Sequence, residues 1–190
     1  MSQSMNFRLK ASVAALVLLG AASVSATTVF TPVNGFLIDT TITNDSGTIS
    51  SVTFDLSNTT TSDGSHVVFD SLIAASFAPP AGSTYALFGA SGSTTFGFNF
   101  TSFGAGQAFT FRWDPDSAIN GLYGALPKDL VGTKVSAVVE GGPNLGGVMA
   151  LDNAGNVGIT LTPVPEPETY ALMLAGLGVI GMMSRRRAAR

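Results

Sequence analysis

The chain has 190 residues, 45% of them hydrophobic and 11% charged, which is room for one ordinary domain with appendages at its ends. It contains no cysteine, so a disulfide framework and thiolate metal centres are excluded. The formal net charge of −3 hides a division: residues 27–164 hold three basic residues against ten acids, a net of −7, which excludes nucleic acid as a partner of the body.

Residues 1–10 carry two cations, Arg8 and Lys10, and no acid. The stretch "ASVAALVLLGAASV" then runs from Ala11 to Val24 without a charge, and "VSA" follows with small residues at Val24 and Ala26. A positive flank, a short apolar helix and a small-x-small exit describe a secretory signal peptide over 1–26, cleaved after Ala26. The fourteen residues of that run fall short of the roughly 20 that a permanent span requires.

The body, residues 27–162, shows alternation of apolar and polar residues again and again. Phe36, Ile38 and Ile42 alternate with Asp39, Thr41 and Thr43; Val52, Phe54 and Leu56 alternate with Thr53, Asp55 and Ser57. Phe96, Phe98 and Phe100 form a third set, Phe109, Phe111 and Trp113 a fourth, and Val157, Ile159 and Leu161 a last. Each predicts a strand with one buried face. Turn clusters such as "TNDSG", "TTTSDGS", "APPAGS" and "EGGPNLGG" separate them. The predicted class is all-β, an antiparallel β-sandwich with the jelly roll as one form of it. Only Leu126–Leu130, inside the irregular stretch "SAINGLYGALPKDLVGTK", allows a turn of helix.

Chemistry is thinly signalled. His66 is the only histidine, so a Ser/His/Asp triad would have to use it, with Asp70 four residues on. No G-x-S-x-G elbow accompanies it, and a strand-end histidine is the plainer reading. In "WDPD", Asp114 and Asp116 flank a proline and could offer oxygens to Ca²⁺, with Asp39, Asp70 and Asn120 as conceivable further donors. The competing and preferred reading is a proline turn in which Asp114 takes local N–H groups while Trp113 plugs the core. "EGGPNLGG" lacks the Lys-Ser or Lys-Thr of a phosphate loop. The body is therefore predicted to be neither an enzyme nor a cofactor protein. Tyr85, Tyr123 and Trp113 are the aromatics that could serve as a sugar platform. Asn44, Asn58 and Asn99 stand in N-x-[ST] patterns, which a Thr-rich chain produces by coincidence.

The chain closes on "PVPEPETYALMLAGLGVIGMMSRRRAAR". Pro163, Pro165 and Pro167 alternate with Val164 and Glu166, a spacing that predicts an extended strip. Thr169–Met183 follows, fifteen residues without a charge, about 22 Å as a helix. That predicts a short transmembrane helix, anchored by Tyr170 at one boundary and by arginines on the cytoplasmic side at the other. Ala171, Ala175 and Gly178 give it a small-residue face that another helix could use.

Pro165-Glu166-Pro167, the short apolar helix and the arginines Arg185, Arg186 and Arg187 resemble the PEP-CTERM sorting signal of exported bacterial proteins. The resemblance covers residues 163–190. It implies that an exosortase, an integral membrane transpeptidase-like enzyme, recognises this tail, with Pro165, Glu166, Pro167 and the three arginines as recognition positions. It further implies export through the secretion translocon, a transient tether at the inner membrane with the body outside, and delivery to the cell surface or extracellular matrix. The body would then serve a structural or adhesive role, or bind carbohydrate among exopolysaccharides.

Overall fold

The computed structural model describes residues 24–32, 36–45, 47–78, 82–119, 121, 124–152, 156–165 and 167–188. The predicted signal helix therefore lies outside the described residues, apart from its last three. Among the described residues, eleven strands and two short or terminal helical pieces follow in chain order. They are β1 (Ala26–Pro32), β2 (Ile38–Asn44), β3 (Ile49–Asp55), β4 (Val67–Ala78), β5 (Tyr85–Phe88), β6 (Thr95–Phe103) and β7 (Ala108–Ser117). After these come a 3-10 turn (Pro127–Leu130), β8 (Lys134–Val139), β9 (Leu145–Val148), β10 (Ala150–Leu151), β11 (Val157–Pro163) and helix α1 (Pro167–Ala188).

The strands form one antiparallel sheet in the order β4-β7-β2-β1-β11-β9-β8-β3-β6-β5, with β10 attached to β11. Antiparallel pairing follows from the patterning, because each strand has one apolar face to hide. Along β7 the alternation is complete: Phe109, Phe111, Trp113, Pro115 and Ser117 are buried, while Thr110, Arg112, Asp114 and Asp116 face outward, partly exposed. β2 and β8 alternate in the same way.

The sheet folds over so that its two halves share one core. Phe111 of the first half lies 4.7 Å, centroid to centroid, from Phe98 of the second, and Trp113 lies 4.7 Å from Phe96. Phe96 also stacks on Phe54 at 5.0 Å and on Phe69 at 4.6 Å. Offset and edge-on aromatic pairs of this kind add to the area they bury. The single tryptophan is fully buried, and its Nε1–H donates to the Thr40 hydroxyl at 2.9 Å, so the one polar atom it takes inside is satisfied.

Strand β11 makes the two halves one sheet. Val157–Leu161 pair with β1, while Thr162 and Pro163 pair with β9 on the other half. The far edges nearly meet: Phe69 of β4 bridges Ser93, and the Tyr85 hydroxyl reaches the Ala75 carbonyl at 3.4 Å. The architecture is thus a folded-over half-barrel, which meets the prediction of an antiparallel all-β body. The picture of two separate sheets gives way to one path, since a strand long enough to leave one half can enter the other.

Three local expectations change. "WDPD" is not a turn: Trp113-Asp114-Pro115-Asp116 lie inside β7. Proline is tolerated there because β2 pairs with β7 only as far as Trp113, and because β4 shifts register between Phe69 and Ser71 opposite it. The last three residues of the glycine-rich "EGGPNLGG", Leu145, Gly146 and Gly147, open strand β9. The tail does form a helix of 22 residues, yet among the described residues no helix is long and apolar enough to cross a membrane. The stretch Thr169–Met183 supplies only fifteen of those residues, and Glu168 and the arginine cluster supply much of the remaining length. The 3-10 turn at Pro127–Leu130 stands where one turn of helix is predicted.

Candidate sorting segment and polar clusters of the body

The tail leaves the body abruptly. Pro163 is still paired with Leu145 of β9, and Val164 N–H still donates to the Asn144 carbonyl at 2.8 Å. Helix α1 begins three residues later at Pro167, a position where the missing N–H costs nothing. Glu166 lies outside the described residues, so the strip is defined by Pro165 on one side and Pro167 on the other.

Helix α1 has no amphipathic division. Leu172, Met173 and Leu174, successive positions that point to three sides of a helix, are 75%, 58% and 65% exposed. Leu177, Ile180 and Met182 are exposed as well. A Cβ added at Gly176, Gly178 or Gly181 would meet nothing within 4 Å. These apolar side chains are left uncovered by the body. Arg185, Arg186 and Arg187 fall in its last turns, where cations suit the negative end of the helix dipole.

At the front, Ala26 opens β1 fully buried, opposite Asn44 on one side and Leu161 on the other.

Asp114 and Asp116 share the outer face of β7 with Asp70 of neighbouring β4. Both carboxyls are raised above the ordinary range, first by burial. Repulsion from Asp70 adds to the rise at Asp114, and repulsion from Asp114 and then Asp70 at Asp116. Of the other conceivable calcium donors, Asp39 is committed to Arg112, Asp70 accepts the Ser91 hydroxyl at 2.7 Å, and Asn120 lies outside the described residues. Among the described residues no group of three or more His, Asp or Glu is arranged to hold a metal.

His66 is exposed, and its Nδ1 faces the Thr59 carbonyl at 3.1 Å. Beside it Asp63 accepts hydrogen bonds from Thr61 Oγ1 at 2.5 Å, Ser65 Oγ at 2.8 Å, Ser65 N at 3.0 Å and Ser117 Oγ at 2.5 Å. Those donors, led by Ser117, hold its carboxyl well below the usual range. Serines, an aspartate and the histidine are thus close in space, but the carboxylate binds the hydroxyls directly and the imidazole is turned to a backbone oxygen. That is a turn-locking network rather than a proton relay.

Sequence reasoning missed one pair. Arg112 Nε and Nη2 grip the two oxygens of Asp39 at 2.7 and 2.8 Å, across β7 and β2, from positions 73 residues apart. The fork lies at the side of a shallow groove of about 310 Å³ lined also by Ala74, Ala75, Ser76, Thr110 and Phe111. The only earlier sign is that both residues sit on the polar phase of their strands. Of the predicted sugar platforms, Trp113 is in the core, Tyr85 is 38% exposed and packs against Phe98 and Phe109, and Tyr123 lies outside the described residues. Among the N-x-[ST] asparagines, Asn44 is buried with its amide donating to Gly47 and Phe103 carbonyls, whereas Asn58 and Asn99 are exposed.

Comparison with protein families matches residues 163–187 to the PEP-CTERM protein-sorting motif. No curated protein and no solved structure matches the chain.

Proposed function

We propose that this chain, which carries a PEP-CTERM protein-sorting motif over residues 163–187, is an exported cargo whose C-terminal tail is read and processed by an exosortase. The match is the observation that carries the reading, and the geometry supports it. A short proline strip protrudes from the body at Pro165, and the helix behind it offers apolar side chains on all sides with no fold of its own to cover them. Pro165, Glu166 and Pro167 are the positions the enzyme would read, with Arg185, Arg186 and Arg187 marking the far end. The signal peptide over 1–26 and passage through the translocon belong to the same reading.

Once released, the acidic β-body acts as a structural or adhesive element of the cell envelope or extracellular matrix. A carbohydrate-binding role has one observation in its favour, the groove beside the Asp39–Arg112 fork, whose planar ion pair can meet sugar hydroxyls. Titration of the body with defined oligosaccharides, compared with Arg112→Leu, separates that role from a purely structural one.

Replacing Pro165-Glu166-Pro167 by alanines in an exosortase-bearing host should leave uncut precursor. Fractionation and intact-mass measurement read the outcome. Release of a normally shortened product by that variant would refute the sorting function.

A further inference from the structure

The sorting strip begins almost flush with the folded body. Between Val164, whose N–H is held by Asn144, and Pro167, where the helix starts, stand only Pro165 and Glu166. Two residues reach at most about 7 Å. An enzyme that takes extended backbone reads its main-chain donors and acceptors. Prolines at 163, 165 and 167 have no N–H, so each remaining donor in the strip matters, and that of Val164 is already spent on the body.

The residues just upstream are built to let go. Thr162 and Pro163 are held by β9 alone, since β1 reaches β11 only as far as Leu161. Thr162, Pro163 and Val164 are exposed, so their departure uncovers little apolar surface. Their partner strand is "LGGV", with two glycines in its interior, a composition that weakens a strand. Leu161, by contrast, is fully buried in the core and its neighbour Thr160 pairs with Thr27 of β1, a natural place for unzipping to stop. Release of the three residues lengthens the free strip to five, about 17 Å.

We infer that Asn144 and Val164 are positioning residues for processing: they clamp the end of β11 to β9, and the exosortase acts on the chain only after residues 162–164 have peeled away from that clamp. This rests on the sorting function proposed above. Local opening of this kind lowers the enzyme's effective affinity by the fraction of chains that are open, so loosening the clamp speeds processing and locking it stops processing.

Two full-length variants test it in an exosortase-bearing host, with the precursor-to-product ratio followed over time. A Gly-Ser-Gly-Ser-Gly-Ser spacer between Val164 and Pro165 supplies free strip without opening and should be processed several-fold faster than the parent. Asn144→Cys with Val164→Cys places a cysteine pair at the next step of antiparallel register. Opposed Cα atoms there stand roughly 4.5–5.5 Å apart, within the roughly 4.4–6.8 Å that a disulfide bridges. The chain has no other thiol to compete. The oxidised variant should accumulate as precursor and be processed again after reduction, a rescue that a merely damaged fold would not show. A spacer that leaves the rate unchanged, or a verified disulfide form cut at the parental rate, overturns the inference. Continued processing of the triple-alanine variant would instead overturn the sorting function itself.

Discussion

Thr28 illustrates what a single residue contributes. It sits on β1 between Ala26 and Phe30, facing the core, fully buried, and its hydroxyl has no hydrogen-bond partner. An unpaired buried hydroxyl is a cost without a return. Thr28→Val keeps the shape and should stabilise the body by about 1 kcal/mol, read as a higher urea midpoint with an unchanged slope. The carboxylates act in opposite directions. Asp63 has a folded pKa below its unfolded value, so its network stabilises the fold above about pH 4 and is lost as pH falls through the depressed value. Asp63→Asn should therefore lower the melting temperature at neutral pH and flatten its acid dependence. Asp116 has a raised folded pKa, so its ionised form is a burden at neutral pH. Asp116→Asn should raise the melting temperature at pH 7, with a gain that shrinks through the raised value and vanishes below about pH 3.9.

At the scale of elements, β6 and β11 carry unusual loads. β6 runs between β3 and β5 with Gly97 at the tightest point: a Cβ there would stand 2.2 Å from the Val52 carbonyl oxygen and 2.5 Å from the Phe88 ring. Gly97→Ala must push β3 or β5 away, and loss of β5 pairing should appear as early hydrogen exchange confined to residues 85–88. The alternation along β3, β6, β7 and β11 was legible from residue order because one buried face imposes period two. β4 was not. Its twelve residues, "VVFDSLIAASFA", contain two register shifts, each of which breaks the alternation that marks a strand. "WDPD" was misread for a related reason: proline argues for a turn unless a neighbouring strand ends or shifts beside it, and no local pattern reports that.

The molecule as a whole consists of a body and a tail that hardly know each other. The core closes between sheet halves through Phe96, which touches Phe54, Phe69, Phe98 and Trp113. Phe96→Ala should cost about 3–5 kcal/mol and lower cooperativity along with the denaturant midpoint. Ending the chain after Val164 should, by contrast, leave the thermal transition of the body within a few degrees of the full chain, because α1 is exposed along its described length. A large drop would mean that the tail helix packs against the body after all.

The tail's character, the strand-rich class of the body and the identity of the sorting strip followed from residue order alone, because prolines, charge-free runs and period-two alternation act within a few neighbours. The single folded-over sheet, the Asp39–Arg112 fork and the clamp at Val164 came only with the assembled molecule. Each depends on which strands lie side by side across tens of residues, and side-by-side placement is chosen by the closing of the shared aromatic core rather than by any short stretch of chain.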